Sequence, residues 1–306
     1  MHTILITGSN GLLGQKLLNY YATQANVRII ATSSGENRYT GSSSNITYCS
    51  LDITNQPQVA LVLERYSPNS IIHTAAMTNV DECELNTEKC HAINVLGTQH
   101  LVEYCARYLP NTHFTHLSTD FIFDGTCGPY DESATPNPLS SYAQSKLDAE
   151  HIVLNSILTA AILRTVLVYG ITPNMSRSNV VLWVKKSLEE NKNINVVTDQ
   201  ARTPTLAEDL AQGCALAEKH RAVGVYNISG KDFMNIYELA VRVAKYFKLD
   251  EQLITPSTSQ GIQQPAKRPP VTGFIITKAI NELGYAPHSF EEGLHIMEQQ
   301  LQQTVN

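Results

Sequence analysis

The sequence has few charged residues and no excess of basic ones. Asp, Glu, Lys and Arg make up 16% of the 306 residues, and 22 Lys and Arg against 28 Asp and Glu leave a net charge of −6. A protein that binds nucleic acid or an anionic membrane through its overall charge is normally basic. We therefore expect neither partner, and the low charge predicts much buried or neutral surface.

Long apolar runs and paired cysteines are also missing. The apolar run of the N-terminal segment ends at Gly8 and follows no basic stretch, which argues against a signal peptide. The most apolar later segment, 160–168, contains Arg164 and is far shorter than the roughly 18 residues that a transmembrane helix needs. The six cysteines include no C-x-x-C pair. These absences predict a cytoplasmic protein with reduced thiols and no metal site.

Histidine offers no metal-binding pattern either. The ten histidines include no H-E-x-x-H motif. His113 and His116 lie three residues apart in a predicted strand, so their side chains should face opposite sides of the sheet. We interpret both as ordinary structural histidines rather than as ligands.

Alternating strand and helix patterns occupy the first 170 residues. The predicted strands are Thr3–Thr7, Val27–Thr32, Ile46–Ser50, Ser70–Thr74, His113–Ser118 and Ala161–Val168. The predicted helices are Leu12–Gln24, Pro57–Tyr66, Thr87–Leu109 and Ser141–Ser156. This alternation is typical of βαβ units, and the continuously apolar strands indicate a parallel sheet covered by helices on both faces.

The pattern is looser after Gly170. The predicted elements are the helix Asn179–Asn191, the strand Ile194–Thr198, the helix Leu206–Lys219, the strand Val225–Ser229, the helix Ile236–Phe247, a loop over Thr255–Pro270, and the helices Thr277–Leu283 and Ser289–Gln303. We predict an α/β protein with two domains. A doubly wound, Rossmann-type domain over 1–170, completed by part of 194–222, precedes a smaller, mostly C-terminal α/β substrate domain over 171–306.

Three glycines follow the first strand directly. Gly8, Gly11 and Gly14 form G-x-x-G-x-x-G at the start of the first helix. Glycine permits the tight turn and lets backbone N–H groups approach a pyrophosphate, and the helix N-terminus adds partial positive charge. A purely structural turn is the alternative, but the strand–turn–helix context favours dinucleotide binding.

The end of the second strand indicates which dinucleotide is bound. An NAD-binding fingerprint places an acid there to hold the ribose 2′-hydroxyl. Here the strand ends Ala31-Thr32-Ser33-Ser34, and Arg38 follows. Hydroxyls and an arginine suit a 2′-phosphate, so we expect NADPH in preference to NADH, although Glu36 lies close by.

Tyr142 and Lys146 form a Y-x-x-x-K pair on one face of a predicted helix. A free phenol has a pKa near 10, and a nearby ammonium lowers that pKa enough for proton transfer at neutral pH. Ser118 and Thr119 end the fifth strand, where parallel sheets bind ligands, and a hydroxyl there can donate to a substrate carbonyl. An exposed helical pair and a strand-closing hydroxyl are the alternatives.

Together these motifs resemble the extended short-chain dehydrogenase/reductases, and within them the dTDP-4-dehydrorhamnose reductase family. The segments that carry the narrower resemblance are Ala75–Asp81, Ile93–Gly97, Leu117–Gly125, Asp199-Gln200 with Pro204-Thr205, and Arg268-Pro269. The resemblance implies reduction of the 4-keto group of a nucleotide-linked deoxysugar with NADPH or NADH, in the biosynthesis of dTDP-L-rhamnose or a related cell-surface sugar.

The resemblance also implies roles for individual residues. Thr119, Tyr142 and Lys146 would be catalytic. The cofactor would lie against Gly8, Asn10, Gly11, Leu12 and Gly14 at the pyrophosphate, Asp52 and Ile53 at the adenine, and Ala75, Ala76, Thr78 and Asn94 further along, together with Ser33, Arg38, Tyr142 and Lys146. The substrate would contact Thr78, Asp120, Phe121, Arg202 and Arg268, with Arg268 at its diphosphate.

One departure from the family pattern and two alternative functions stay open. Leu167 stands where the family commonly has Trp, which leaves the particular sugar and nucleotide undecided. An NAD-dependent epimerase or dehydratase is the first alternative, although Asp120-Phe121 follows Thr119 where a dehydratase would have an Asp-Glu pair. A non-catalytic regulatory subunit that binds a nucleotide and a partner enzyme is the second. A homodimer is also left open.

Overall fold

The structure, a computed structural model, describes residues 1–175, 178–260 and 264–305. Its strands are β1 (His2–Thr7), β2 (Val27–Ser33), β3 (Ile46–Ser50), β4 (Ser70–His73), β5 (His113–Thr119), β6 (Thr159–Thr165), β7 (Val168–Tyr169), β8 (Ile194–Val197), β9 (Ala201–Arg202), β10 (Thr205–Leu206), β11 (Gly224–Asn227), β12 (Met234–Asn235) and β13 (Ile254–Ser257).

The α-helices alternate with these strands through most of the chain. They are α1 (Leu12–Ala22), α2 (Gln56–Tyr66), α3 (Val80–Leu85), α4 (Thr87–His91), α5 (Gly97–Tyr108), α6 (Ser141–Leu154), α7 (Val180–Glu189), α8 (Ala207–Lys219), α9 (Ile236–Phe247), α10 (Thr277–Leu283) and α11 (Phe290–Val305). A π-helical turn (Ala92–Leu96) joins α4 to α5, and a 3₁₀ turn (Asp120–Ile122) follows β5.

Within the described residues, seven parallel strands form one sheet in the order β11-β6-β5-β4-β1-β2-β3. The predicted α/β fold with a Rossmann-type, doubly wound parallel sheet is confirmed. The strand order reverses between β1 and β4, and such a switch point opens a crevice for a ligand at the carboxyl ends of the strands. The first turn of the chain, after β1, lies at this point.

Alternate side chains of the strands enter two separate apolar layers. On β1, Ile4 and Ile6 belong to the core beneath α1 and α8, whereas Leu5 belongs to the core beneath α2 and α5. Each such side chain contributes about 1.5–3 kcal/mol when fully buried. A strand whose two faces are both covered reads as a continuous apolar run, which is why the sequence pattern predicted this sheet.

The later part of the chain contributes to both regions. A third core includes Val181 and Val184 of α7, Leu239 and Val243 of α9, and Leu294 of α11. Three short strand pairs surround this core, namely β8 with β13, β7 with β10 and β9 with β12. In contrast, β11 joins the edge of the large sheet and α8 packs against α1. The domain boundary at 170/171 remains a prediction.

Several predicted elements differ from those observed. The predicted helix Thr87–Leu109 is divided by the π-helical turn, and α3 was not predicted as a helix. The predicted strand Ala161–Val168 ends at Thr165, since Leu167 adopts a positive φ of 38°. The loop predicted over Thr255–Pro270 begins instead with β13, which finds a partner in β8; residues 261–263 of that loop lie outside the described residues.

Candidate active site

The glycine turn after β1 is shaped by close backbone contacts. Gly8 has a φ of +67°, and a Cβ there would lie 2.8 Å from the Ala75 nitrogen on the loop after β4. A Cβ on Gly14 would lie 2.3 Å from the Gly8 oxygen, so α1 packs directly on the turn. Gly11 is the N-cap of α1, and no described side chain caps it. This bare helix N-terminus fits a pyrophosphate.

Asn10 connects this turn to the loop that follows β2. Its Nδ2 donates to the Glu36 oxygen at 2.7 Å, and its Oδ1 accepts from the Arg38 nitrogen at 2.8 Å. The same loop is held by Tyr48, whose hydroxyl donates to the Ser33 and Gly35 oxygens at 3.1 and 2.6 Å. Asn10 therefore fixes the backbone that presents Arg38, a contribution that the sequence did not predict.

The adenine candidates Asp52 and Ile53 follow β3. The Asp52 carboxylate accepts hydrogen bonds from the Thr54 nitrogen and hydroxyl at 2.9 and 2.7 Å, which forms a tight turn. Ile53 is buried against Gly97, and a Cβ on that glycine would lie 2.6 Å from the Ile53 Cδ1. Both candidates thus lie at the carboxyl edge of the sheet, two strands away from the glycine turn.

Asn94 holds the loop that carries Ala75, Ala76 and Thr78. Its Oδ1 accepts from the Met77 nitrogen at 2.7 Å, and its Nδ2 donates to the Met77 oxygen at 3.0 Å and to the Ser145 hydroxyl at 2.9 Å. Asn94 lies on the π-helical turn, a feature frequently found at functional sites. It therefore joins the loop after β4 to α6, which carries Tyr142 and Lys146.

Tyr142 is buried at the start of α6, in an apolar cluster with Met77, Cys83 and Cys90. Burial raises the pKa of its phenol, and a hydrogen bond with Thr119 partly offsets that rise. Thr119 ends β5, as the sequence predicted, so the two hydroxyl groups meet at the carboxyl edge of the sheet. Burial therefore keeps the phenol of Tyr142 protonated beside Thr119, whose own hydroxyl donates to the Asp120 carboxylate at 3.2 Å.

Lys146 lies one turn further along α6 and is also buried. Its Nζ is 3.2 Å from the Nε2 of His116 on β5. Burial lowers the pKa of Lys146 to about 8. The groups that shift the pKa of Tyr142 are its burial, Thr119, Asp120, Cys83 and Cys90, so the predicted lowering by Lys146 is not observed. The physical reason is that the amine is directed at His116 while the phenol is desolvated.

Asp120 and Arg202 form a buried pair behind Phe121. The Arg202 Nε lies 3.6 Å from the Asp120 carboxylate, which also accepts a hydrogen bond from the Thr272 hydroxyl. The remaining Arg202 donors bind the backbone oxygens of Ala201, Pro269 and Pro270 at 2.6–2.8 Å. Burial raises the pKa of Asp120, and Arg202 opposes that rise. The substrate contacts of Asp120 and Arg202 stay predictions, because the hydrogen-bonding groups of both side chains already bind other groups of the protein.

Arg268 lies in the C-terminal segment and reaches α3. It donates from Nη1 and Nη2 to the Asp81 carboxylate at 3.1 and 2.6 Å, and from Nη1 to Gln264 Oε1 at 2.6 Å. The hydrogen bonds from Arg268 to the Asp81 carboxylate hold the pKa of Asp81 below its usual value. Arg268 remains partly exposed next to the loop that carries Thr78, which is compatible with its predicted role at a substrate diphosphate.

The predicted residues therefore gather along the carboxyl edge of the sheet, although several partners were not predicted. Four residues that were not predicted bind predicted ones directly, namely His116, Tyr48, Asp81 and Thr272. Each comes from a distant segment, so only the folded chain reveals it. The described residues contain no group of three or more side chains that could hold a metal ion, and none of their helices is long and apolar enough to cross a membrane.

The switch-point glycine turn and the hydroxyl, phenol and amine beside it define an extended short-chain dehydrogenase/reductase. The chain belongs to the family described as RmlD substrate binding domain, which matches residues 1–303. The predicted resemblance is thus confirmed.

Individual relatives agree with this assignment. The dTDP-4-dehydrorhamnose reductase of Aggregatibacter actinomycetemcomitans is 29% identical over 306 residues, 96% of this chain and 97% of that protein. The crystal structure of dTDP-4-dehydrorhamnose reductase from Bacillus anthracis str. Ames in complex with NADP is 27% identical with a TM-score of 0.82, over 98% and 99% of the two chains. Methionine adenosyltransferase 2 subunit beta of Rattus norvegicus is 31% identical over 270 residues, 86% of this chain and 78% of that protein.

Proposed function

We propose that the chain reduces the 4-keto group of a nucleotide-linked deoxysugar with NADPH, as a dTDP-4-dehydrorhamnose reductase does. The observation that carries the proposal is the meeting of Thr119 and Tyr142 at the carboxyl edge of the sheet, with Lys146 one turn away. Membership of a family that includes dTDP-4-dehydrorhamnose reductases supports the reaction class.

In the proposed mechanism, the reduced nicotinamide supplies a hydride to the keto carbon. When substrate is bound, the Thr119 hydroxyl would donate to the carbonyl oxygen instead of to the Asp120 carboxylate, and would hold that oxygen beside the phenol of Tyr142. Tyr142 then gives its proton to that oxygen as negative charge develops there. The Lys146 ammonium would orient the nicotinamide ribose. The buried setting of both side chains excludes water from the proton transfer.

The residues around the glycine turn fit NADPH better than NADH. β2 ends at Ser33 without an acid at its tip, and Asn10 fixes the loop that presents Arg38. A guanidinium and a hydroxyl can bind a 2′-phosphate, whereas a carboxylate at this place would repel it. The Bacillus anthracis reductase, whose structure contains NADP, is a relative over nearly the whole chain.

Arg268 is the residue we assign to the substrate diphosphate. Its guanidinium is partly exposed and lies beside the loop after β4, within the region where the predicted cofactor residues gather. A planar guanidinium binds phosphate oxygens in a bidentate way. Product formation would then serve the biosynthesis of dTDP-L-rhamnose or a related sugar. We also propose that the protein is cytoplasmic and that it forms a homodimer.

A regulatory subunit is the second candidate. The 31% identity to methionine adenosyltransferase 2 subunit beta of Rattus norvegicus favours it, because that relative is named as a subunit of another enzyme. The presence of Thr119, Tyr142 and Lys146 together favours catalysis instead. A dehydratase is disfavoured, since Asp120 is bound to Thr272 and Arg202 and Phe121 rather than a second acid follows it directly.

Cofactor consumption tests the proposal directly. The purified protein is mixed with NADPH and a panel of nucleotide-linked 4-keto sugars, including dTDP-4-keto-6-deoxy sugars, and the loss of absorbance is followed. Tyr142→Phe is the matched control, and its rate should be lower by a factor of about 10²–10⁴, while its affinity for NADPH should be nearly unchanged because the phenyl ring is retained. Absence of turnover on every sugar, with capture of a partner enzyme, would instead establish the regulatory function.

A further inference from the structure

A row of polar side chains crosses the sheet beneath the candidate active site. Thr7 of β1 is the register partner of His73 on β4, and His73 is the register partner of His116 on β5. All three side chains are buried, and the row ends at the amine of Lys146. Because register partners lie side by side on one face, the row connects the residue before Gly8 to α6.

The hydrogen bonds at the His73 end of the row have only one consistent direction. The Thr98 hydroxyl donates to the Asn94 oxygen at 2.7 Å, so it accepts from His73 Nε2–H at 3.0 Å. The His73 Nδ1 is then an acceptor, and the Thr7 hydroxyl donates to it at 2.7 Å. Both ring nitrogens of His73 are therefore engaged, and burial lowers its pKa to about 3, so the ring is neutral.

His116 stands between this fixed ring and Lys146. The His73 and His116 ring centroids are 5.4 Å apart, and Lys146 Nζ lies 3.2 Å from His116 Nε2. An ammonium can only donate, so Nε2 must accept and the ring proton must sit on Nδ1. That nitrogen has no hydrogen-bond partner among the described residues, a costly state for a buried donor. A leucine at position 116 would avoid this cost. The presence of histidine there indicates that its Nε2 is required as a hydrogen-bond acceptor.

We propose that His116 is a positioning residue of the reductase site, whose Nε2 accepts a hydrogen bond from the Lys146 ammonium while the His73–Thr7 pair holds its ring in place. The hydrogen bond is inferred from the structure alone, and only its importance for catalysis rests on the proposed function. The hydrogen bond keeps the amine charged and fixed at one point above the sheet.

The charged and titratable surroundings of the pair come from several elements. Lys146 faces Glu150 on its own helix, Cys90 on α4 and His116 on β5, and Tyr142 lies one turn before it. Glu150 is itself bound by Arg164 of β6 at 2.8 Å. His116 faces Lys146 and His73. Burial disfavours the ammonium and Glu150 favours it, and the neutral acceptor on β5 adds a hydrogen bond that stabilises it further.

The first experiment measures the Lys146 amine without any turnover. Lysine is labelled with ¹³C at Cε, and the Lys146 signal is titrated by NMR in the wild type, His116→Phe and His116→Gln. Phe removes the acceptor, so the midpoint should move down by about one pH unit or more, because the ammonium loses a charge-assisted hydrogen bond. Gln supplies an amide oxygen and should restore most of the midpoint.

His113→Gln is the matched control on the same strand. His113 is buried as well, but its Nε2 lies 2.9 Å from the Ala222 oxygen, away from Lys146. Its replacement should leave the Lys146 midpoint in place. An unmoved midpoint in a folded His116→Phe protein, or an equal shift in His113→Gln, would overturn the proposal.

A second measurement needs no substitution that could prevent folding. In wild-type protein with ¹⁵N-labelled histidine, the neutral His116 ring should carry its proton on Nδ1, and its Nε2 signal should respond as Lys146 titrates. A ring protonated on Nε2 would contradict the proposal.

If a sugar is reduced, the basic limb of kcat/KM in His116→Phe should also move to lower pH, with kcat down about 10-fold or more. If no sugar is reduced, the proposed function is wrong, but the NMR measurements still test the hydrogen bond between His116 and Lys146.

Discussion

Arg268 and Asp81 form a bidentate ion pair between segments 187 residues apart, with Nη1 to Oδ1 at 3.1 Å and Nη2 to Oδ2 at 2.6 Å. The pair connects the C-terminal segment to α3, next to the loop after β4. The guanidinium that we assign to a substrate diphosphate is therefore already bound to an internal anion. A diphosphate has to compete with this carboxylate for the same donors.

We expect opposite effects from the two partners. Arg268→Gln should raise the KM for the nucleotide sugar by about 10-fold or more, because a charge-assisted pair with phosphate is lost. Asp81→Asn should lower that KM, because the competing charge disappears. Steady-state kinetics with NADPH saturating would measure both.

The thermal stability of both variants serves as the control. The pair is partly exposed, with side chains 21% and 32% accessible, and such pairs contribute about 0–1 kcal/mol. Each variant should therefore unfold within a few degrees of the wild type. A higher KM in Asp81→Asn would show that Asp81 orients Arg268 rather than competing for it.

The cofactor preference should depend on the side chain of Arg38. Its backbone nitrogen is held by Asn10 Oδ1 at 2.8 Å, so the side chain is presented from a fixed loop. Arg38→Ala should lower kcat/KM for NADPH by about 10-fold or more, since roughly 1.4 kcal/mol corresponds to a factor of ten. Activity with NADH is the internal control and should stay as it is. An equal loss with both cofactors would exclude recognition of the 2′-phosphate.

Gly14 should be far less tolerant of substitution than Gly11. A Cβ on Gly14 would lie 2.3 Å from the Gly8 oxygen and 2.6 Å from the Ser9 Cα, both backbone atoms. Gly14→Ala should therefore destabilise the fold by about 1–3 kcal/mol or more. Gly11 has extended backbone and one contact at 3.2 Å, so Gly11→Ala should cost under about 1 kcal/mol. Urea unfolding of both variants distinguishes them, and equal losses would refute the packing argument.

Features that depend on neighbouring residues were predictable from the sequence. The turn from Gly8 to Gly14 follows a strand and opens a helix within a few residues, and Tyr142 and Lys146 share a face because one helical turn separates them. The continuous apolar strands predicted a sheet with two covered faces, which the two cores confirm. These signals need no knowledge of the tertiary structure.

Features that depend on register or on distant segments were not predictable. The sequence placed His113 and His116 on opposite faces, but only the pairing of β4 with β5 and the packing of α6 set His116 against Lys146. The role of Arg202 as a substrate ligand stays a prediction, and its hydrogen bonds to the Pro269 and Pro270 oxygens, 67 and 68 residues away, could not be predicted from local sequence. β13 is a strand because β8 lies beside it, which overrides a loop-like composition.

The buried histidines should make the free energy of unfolding fall in mild acid. Burial lowers the pKa of His73 to about 3 and the pKa of His116 well below its usual value, whereas an unfolded histidine titrates near 6.5. Below about pH 6.5 the unfolded chain therefore binds protons that the folded chain does not, and stability falls as the pH is lowered toward 3. The contribution of each histidine is fully present above pH 6.5.

Replacing one of these histidines isolates its share of the pH dependence. His73→Asn should reduce the slope of the free energy of unfolding between pH 6 and 5 by about 1.4 kcal/mol per pH unit, since one proton fewer is taken up on unfolding. Urea unfolding at half-unit intervals measures this slope. The two stability curves should run parallel between pH 7 and 8, whatever their vertical offset. Parallel curves below pH 6 as well would mean that His73 is already protonated in the folded protein, which would contradict the hydrogen bonds from Thr7 and to Thr98.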